Sequence, residues 1–255
     1  MEEKKKIGLT ANQLKLIACV SMLIDHIGYV FFPQVKVLRY IGRIAMPIYC
    51  YQTAIGGYYT HDKKKYILRM TVFMILSEIP FDLAFQKKFF DWSYNSVMVT
   101  LLIGLCCVLA SEEFKNRIKT PRLWILPSVV VFLLGGALAE LANTDYGCVG
   151  VAFIACFYYF RKNPAAMSLT FVFIAAVMTV IRQWINRQGL SYAWSMLSGG
   201  NFYLHIETFA AVALIFIFLH NGERGKKTKA IQYGFYAFYP VHLALIAAVY
   251  FLLHG

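Results

Sequence analysis

The sequence predicts an all-α protein, a polytopic transmembrane bundle of about nine helices. Hydrophobic residues make up 59% of the 255 residues and charged residues only 15%, whereas a soluble domain usually carries about 25% charged residues. The mean hydropathy is +0.57. Apolar runs of about 20 residues recur along the chain, and each is long enough to cross a hydrocarbon core roughly 30 Å thick.

The helices are expected in nine runs along one membrane domain, residues 1–255. At the start of the first run, Thr10 and Gln13 are three residues apart. At this spacing the side chain of each residue can accept a hydrogen bond from the backbone N–H of the other. No A-x-A-like cleavage site follows this run, so we expect it to remain as a helix and not to be removed as a signal peptide. The expected runs are 11–32, 37–59, 65–85, 94–111, 122–141, 147–160, 167–186, 203–220 and 233–252.

The basic residues lie mainly at alternate ends of these helices. The net charge is +12 and the pI is near 9.4, but the cations sort by side and need no nucleic-acid partner. By the positive-inside rule we expect the N-terminus in the cytoplasm and the protein in the inner membrane. The expected cytoplasmic cations are Lys4 to Lys6, Lys63 to Lys65, Arg69, Lys115, Arg117, Lys119, Arg122, Arg161, Lys162, Arg224, Lys226, Lys227 and Lys229. Those of the other side are Lys36, Arg39, Lys87, Lys88, Arg182 and Arg187.

The cysteines predict neither a disulfide framework nor a metal site. They lie in or beside apolar runs, without a C-x-x-C motif or a Cys/His spacing typical of metal ligands. We interpret them as small hydrophobic residues. They are Cys19, Cys50, Cys106, Cys107, Cys148 and Cys156.

Ionisable residues of several helices are expected at one depth of the membrane. At about 1.5 Å per residue, Asp25 and His26 lie roughly 21–23 Å from the start of the first run. Arg43 lies about 9 Å, Glu78 roughly 12 Å and Asp82 about 6 Å from the outer surface. Charged groups at such depth cost about 3 kcal/mol or more unless paired or hydrated, so this layer predicts a functional site, with a structural ion-pair cluster as the alternative. Further polar residues at this end are Asn95, Glu140 and Asp145.

The side chains that interact with Asp25 and His26 are expected to come from other helices. Neighbouring positions on a helix point about 100° apart, so Asp25 and His26 are expected to point in different directions. We expect Asp25 to pair with Arg43. We expect Glu78 or Asp82 to fix the tautomer of His26, which leaves its other nitrogen able to take a proton.

Seven stretches in order resemble the motifs of the TraX family, over about residues 9 to 248. The family takes its name from the enzyme that N-acetylates F-pilin. The resemblance implies transfer of an acetyl group from acetyl-CoA to an acceptor. The stretches are LKLIACVSMLIDHIGYVFF, IGRIAMPIYCY, KKKYILRMTVFMILSEIPFDLAF, NSVMVTLLIGL, DYGCVGV, HNGERG and FYAFYPVHLALI.

Under this interpretation the polar layer is the catalytic site. His26 is expected to remove a proton from an amine or hydroxyl acceptor, or to carry the acyl group transiently. Arg43 is expected to stabilise the oxyanion or to hold Asp25, and Asn95 to donate a hydrogen bond to the thioester carbonyl. The expected catalytic residues are His26, Asp25, Arg43, Glu78, Asp82 and Asn95.

The donor is expected to bind at the loop His220 to Lys229, on the cytoplasmic side where CoA is found. Two glycines let backbone N–H groups approach an anion, and the cations of the loop can hold phosphates. The alternative for the loop is a flexible basic segment that binds no donor. The alternative for His242 is a packing residue of the last helix. The expected cofactor-binding residues are Asn221, Gly222, Arg224, Gly225, Lys227, Tyr239 and His242.

Two other classes of function remain open. A secondary transporter or proton-coupled permease also has buried ionisable residues, although we find no inverted repeat. A non-catalytic assembly factor would bind a peptide in the outer cleft. The acceptor itself, a peptide, glycan or lipid at the outer half of the membrane, stays open. Arg182, His205 and Glu207 are interpreted as structural groups of the outer end.

Overall fold

The computed structural model of the protein describes residues 7–185, 206–226 and 228–254, without the side chains of 178–185 and 206–208. Several predictions fall on residues outside the described backbone or side chains. These are the predictions for Lys4 to Lys6, Arg182, Arg187, His205, Glu207 and Lys227.

The described chain is helical, as predicted, and contains no strand beyond two isolated bridges. A π-helical turn, Asp82–Gln86, follows α4, and a 3₁₀ segment, Ile206–Val212, precedes α9. The helices are α1 (Ala11–Phe31), α2 (Lys36–Gly42), α3 (Ala45–Tyr59), α4 (Lys63–Phe81), α5 (Val97–Arg117), α6 (Ile125–Leu141), α7 (Gly147–Phe160), α8 (Pro164–Ile185), α9 (Ala213–Phe218) and α10 (Lys229–His254).

Three described helices, α1, α5 and α10, are long and apolar enough to cross a membrane. Apolar side chains also point outward on the shorter α6, where Leu133, Leu134 and Leu138 are more than half exposed. Such a surface is unfavourable in water and favourable in lipid. The chain is therefore a membrane protein, and a nine-span bundle stays a prediction.

The first helix begins as the sequence predicts. The backbone N–H of Thr10 donates to Gln13 Oε1 at 2.8 Å, and the N–H of Gln13 donates to Thr10 Oγ1 at 3.4 Å. This reciprocal pair satisfies two of the donors that a helix start leaves free. The predicted capping box is confirmed.

The second expected run, 37–59, is wrong as a single helix. The chain leaves α2 at Gly42, turns through Arg43 and Ile44, and starts α3 at Ala45. Pro47 explains the break, because its ring would clash with the carbonyl of Arg43 in a continuous helix and it has no N–H to donate. The break places Arg43 at a corner beside α1.

The two ends of the packed helices differ in composition. Leu9 pairs with His220 at the end where α1 begins, called here the basic end because Lys63, Lys226 and other cations lie there. Asn95 pairs with Thr144 at the opposite end, called here the cavity end because a cavity lined by Asp145 and Tyr146 opens there. The predicted layer of ionisable residues lies at the cavity end.

Candidate active site

A cavity of about 250 Å³ opens at the cavity end. Met22, Asp25, His26 and Tyr29 contribute to it from α1 with spacings of three, one and three residues, which places them on one face of the helix. Asp25 and His26 therefore share the cavity, although they were expected to point in different directions. The other lining residues are Arg39, Gly42, Arg43, Ala45, Met46, Tyr49, Phe81, Phe85, Gln86, Tyr94, Val97, Asp145 and Tyr146.

The predicted ion pair of Asp25 with Arg43 is present, but among the described residues Arg39 lies closer to the carboxylate. Arg39 Nη1 lies 2.7 Å from Asp25 Oδ2, whereas Arg43 Nη2 lies 3.9 Å from Asp25 Oδ1. Arg39 and Arg43 are one helical turn apart, and both face α1. Because α2 returns along α1, the carboxylate lies between the two guanidinium groups.

Arg43 has a second partner in Tyr146. Its Nη1 donates to the Tyr146 hydroxyl at 2.6 Å. Tyr146 has a φ of 66°, in the left-handed region that non-glycine residues seldom adopt, and Gly147 after it has a φ of 48°. For a non-glycine residue such as Tyr146 this conformation costs about 1–3 kcal/mol, and such residues are concentrated at functional sites. This turn directs the tyrosine toward the cavity.

The partner of His26 is His242 of α10. His26 Nδ1 lies 2.8 Å from His242 Nε2, and the two rings stack with centroids 5.0 Å apart. His242 Nδ1 lies 2.6 Å from the backbone carbonyl of Phe238, one turn earlier in α10. His242, expected at the donor site, therefore lies beside His26, and the expectation that Glu78 or Asp82 orients His26 is wrong.

This chain of contacts fixes the protons on both imidazole rings when they are neutral. A carbonyl oxygen only accepts, so His242 Nδ1 carries the hydrogen that Phe238 receives. His242 Nε2 is then an acceptor, and His26 Nδ1 must donate to it. His26 Nε2 consequently keeps its lone pair and is the atom that can take a proton at the cavity.

Glu78 holds the start of α5. Its Oε1 accepts from Ser96 Oγ at 2.6 Å and its Oε2 from the Ser96 N–H at 3.3 Å. A carboxylate at this position also interacts favourably with the N-terminal end of the helix dipole. Glu78 therefore positions α5 and does not contact His26 through its carboxylate.

Asp82 organises the loop between the π-helical turn and α5. It is 1% exposed, and its oxygens accept from the Asp91 N–H and from Gln86 Nε2, both at 2.8 Å. Within this loop, hydrogen bonds from Lys88 and Ser93 lower the pKa of Asp91 to about 2. The contacts of Asp82 fix the loop that borders the cavity.

Asn95 also has a structural position. Its side-chain Nδ2 donates to the carbonyl of Ala142 at 2.6 Å, and its backbone pairs with Asn143 and Asp145. It is not among the described residues that line the cavity. The expected bond from Asn95 to a thioester carbonyl therefore has no support in this geometry.

Two further carboxylates of the cavity end, those of Glu140 and Asp145, also accept hydrogen bonds at loop ends. Glu140 Oε1 accepts from the Cys148 N–H at 2.7 Å and so caps the start of α7. Tyr94 donates its hydroxyl to Asp145 Oδ1 at 2.8 Å, and both side chains line the cavity. These bonds hold the 94–97 and 142–147 segments together around it.

The loop predicted to hold the donor packs against the start of α1. The N–H groups of Ala11 and Asn12 donate to the carbonyls of Glu223 and Arg224 at 2.8 and 3.3 Å. The loop therefore presents two carbonyls to this helix start, and the Asn221 N–H donates to the carbonyl of Leu9 just before it at 2.9 Å. Asn221 Nδ2 donates to the Gly8 carbonyl at 3.4 Å.

The glycines of this loop occupy left-handed backbone positions. Gly222 has a φ of 81° and Gly225 a φ of 80°. A side-chain carbon on Gly225 would lie 3.1 Å from Thr10 Oγ1, so the glycine also permits close packing on α1. A second cavity, of about 920 Å³, opens here and is lined by Asn221, Gly225 and Lys226, among others.

Tyr239 lies on α10 next to the histidine pair and away from the loop. It is 5% exposed, and its ring centroid is 6.3 Å from that of His26.

Within the described residues no cluster of three or more His, Cys, Asp or Glu side chains is arranged to hold a metal ion.

Sequence reasoning missed Arg39 and Tyr146 as members of the site. The i, i+4 spacing of Arg39 and Arg43 was a usable signal, since it places two cations on one helix face. No comparable signal indicates Tyr146, whose position depends on the turn before α7.

Gly42 permits the close approach of α2 to α1, and its replacement by Ala is expected to disrupt the site. A side-chain carbon on Gly42 would lie 2.1 Å from Asp25 Oδ1 and 2.2 Å from Asp25 Cγ. Overpacking of this kind costs about 1–3 kcal/mol. We expect Gly42→Ala to lower the melting temperature and to displace Asp25 from Arg39, as thermal unfolding in detergent would measure.

Gly234→Ala is the matched control, because a side-chain carbon there has nothing within 4 Å. We expect it to leave the melting temperature unchanged or slightly raised. An unchanged melting temperature in Gly42→Ala would contradict the close packing of the two helices.

The chain is similar to known proteins along most of its length. A protein-family model described as TraX protein matches residues 10–250. The chain is 26% identical, over an alignment of 259 residues, to the "Probable fimbrial assembly protein FimC, serogroup H1" of Dichelobacter nodosus, with 96% of this chain and 97% of that protein covered. It is 23% identical over 251 residues to an uncharacterized protein of Rickettsia prowazekii (strain Madrid E), with coverages of 84% and 94%. No solved structure is significantly similar.

Proposed function

The chain belongs to the TraX family, and from this premise we propose that it is an integral membrane acetyltransferase. It moves an acetyl group from acetyl-CoA to an amine or hydroxyl of an acceptor. The single observation that carries this proposal is the series from the Phe238 carbonyl through His242 to His26, which leaves His26 Nε2 as a proton acceptor at the cavity.

His26 acts as the general base in this proposal. Its Nε2 takes the proton of the acceptor N–H or O–H while the nitrogen or oxygen attacks the thioester carbonyl carbon. The carbon–sulfur bond then breaks, and the CoA thiolate receives the proton from His26. His242 Nε2 accepts from His26 Nδ1 throughout and stabilises the imidazolium.

Arg43 and Tyr146 stabilise the negative charge that forms on the thioester oxygen. Both line the cavity, and the hydrogen bond between them holds the guanidinium in place. Fixed donors in a site with little water stabilise such an oxyanion strongly. Asp25 and Arg39 keep Arg43 in position, and Glu78, Asp82 and Asn95 hold the surrounding segments.

We also propose the orientation in the membrane. The basic end carries Lys63, Lys64, Lys162 and Lys226 and is placed in the cytoplasm by the positive-inside rule. The cavity end then faces the outer half of the cell's inner membrane, where the acceptor binds. The name of the Dichelobacter nodosus relative, a fimbrial assembly protein, favours a peptide among the acceptor classes.

The orientation predicts which introduced cysteines react in whole cells. Ser93 and Lys64 are both exposed and lie at opposite ends of α4 and its loop. In a background without the native cysteines, we expect Ser93→Cys to react with an impermeant thiol reagent and Lys64→Cys to react only after lysis. The reverse pattern would place the cavity in the cytoplasm and overturn the orientation.

The enzymatic proposal is tested with purified protein in nanodiscs. Radiolabelled acetyl-CoA is offered with a panel of amines, sugars and peptides, and labelled product is separated from the donor. We expect turnover that depends on both substrates. Uptake of a panel compound into proteoliposomes without acetyl transfer would identify a transporter instead.

A non-catalytic assembly factor is the second candidate, because the name of the Dichelobacter nodosus relative refers to assembly. Such a protein binds its peptide without acetyl-CoA. Peptide binding whose affinity is the same with and without acetyl-CoA, together with no labelled product, would favour it.

A further inference from the structure

Three cations from separate parts of the chain converge near the basic end. Lys15 comes from α1, Arg69 from α4 and Arg224 from the loop before α10. Arg224 lies within electrostatic range of Lys15 and of Tyr236, and Arg69 contacts the Tyr236 hydroxyl. These residues, called here the cation cluster, are brought together by the packing of α1 and α4 against α10.

Two members of the cation cluster, Lys15 and Arg69, lie deeper than a basic membrane rim requires, whereas Arg224 is exposed in the loop. At about 1.5 Å per residue, Lys15 lies about 6 Å beyond the first residue of α1 and Arg69 about 9 Å beyond the first residue of α4. Within the described residues none of the three cations has a carboxylate at ion-pair distance. Arg69 Nε is buried and has no hydrogen-bond partner there.

Aromatic rings surround the cations. Lys15 Nζ lies 5.7 Å from the ring centroid of Phe235, and Arg69 Cζ lies 5.9 Å from that of Tyr66. Tyr236 stacks on Phe73 with centroids 5.3 Å apart, which fixes the face of α4 that carries Arg69. Clustered cations without a carboxylate at ion-pair distance, beside aromatic rings, are suited to the phosphates and the base of a nucleotide.

The cation cluster and the histidine pair lie on the same seam between α1 and α10. Lys15 contacts Phe235 at one position, and His26 contacts Tyr239 and His242 further along. Lys15 and His26 are eleven residues apart on α1, or about 17 Å at about 1.5 Å per residue. An extended pantetheine arm spans a distance of this order.

We infer that Lys15, Arg69 and Arg224 bind the phosphates of the CoA nucleotide, and that the pantetheine arm lies along the α1–α10 seam with its thioester at His26. The inference rests on the proposed acetyltransferase function and specifies its donor site. It explains how a donor from the cytoplasm reaches a reactive site near the opposite end. It also assigns the phosphate contacts to side chains of three elements, in place of the backbone N–H groups of the loop.

Binding of unacetylated CoA tests the inference without requiring catalysis. We expect Lys15→Met and Arg69→Met, which remove the charge and keep an unbranched apolar side chain, each to weaken CoA binding by about tenfold or more in calorimetry with nanodiscs. Binding of pantetheine, which lacks the nucleotide phosphates, is expected to be weak and equal in wild type and variants. Lys64→Met is the control, because Lys64 is an exposed cation of the same end.

An anionic lipid headgroup offers the same phosphate chemistry, so the measurement is made in phosphatidylcholine alone and with phosphatidylglycerol added. Equal CoA affinity in wild type and both variants, with a loss only of retained phosphatidylglycerol, would assign the cation cluster to lipid and overturn the inference. Thermal unfolding of each variant confirms that the fold is kept. Wild-type turnover with unchanged KM for acetyl-CoA in both variants would overturn the donor site alone, whereas wild type that neither binds CoA nor transfers acetyl groups would overturn the proposed function.

Discussion

Replacing His26 by Ala is expected to lower acetyl transfer by about 10²- to 10⁴-fold, the usual contribution of a positioned general base. His26 Nε2 is the proton acceptor that the contacts with His242 and Phe238 define. The variant is expected to fold, because removal of a neutral imidazole at a cavity leaves no buried charge unpaired. Turnover with radiolabelled acetyl-CoA and the melting temperature are measured on the same preparation.

His254→Ala is the control for this prediction, since His254 is an exposed histidine at the far end of α10. We expect it to keep full activity. His242→Ala is expected to lower turnover as well, because His26 then loses the acceptor for its Nδ1 hydrogen. Full activity in His26→Ala would show that another group takes the proton.

Replacing Asp25 by Ala is expected to destabilise the protein by about 3–5 kcal/mol, the range measured when one partner of a buried pair is removed. The Asp25 side chain is 13% exposed, with Arg39 at 2.7 Å and Arg43 at 3.9 Å. Its loss leaves two guanidinium groups close together without the carboxylate between them. Thermal unfolding in detergent measures the change, and activity is expected to fall because Arg43 is displaced.

Double variants identify which arginine is the main ion-pair partner of Asp25. Asp25→Ala with Arg39→Leu is expected to recover most of the lost melting temperature, whereas Asp25→Ala with Arg43→Leu is expected to recover less, because Arg43 is also held by Tyr146. Asp62→Asn is the control, since Asp62 and Lys65 form an exposed pair and Asn retains the helix cap. Equal recovery in the two double variants would contradict the assignment of Arg39 as the main partner.

Much of the local structure could be predicted from the sequence because its signals are short in range. The capping box at Thr10 needs only residues three apart, and the helical state follows from apolar runs with few polar interruptions. The site was predictable as a layer, since the position of Asp25 and His26 along one helix gives their depth. The break before α3 was missed, although Pro47 carries its signal.

The sequence by itself therefore determined that this is an apolar helical protein of the TraX family with ionisable residues gathered toward one end. Only the tertiary structure decided which of those residues touch. Asp25 and Arg39 are 14 residues apart in the chain, and His26 and His242 are 216 apart. The faces that α1, α2 and α10 turn toward one another depend on helix packing, such as the close approach at Gly42, and the spacing of residues within one helix carries no information about its neighbours.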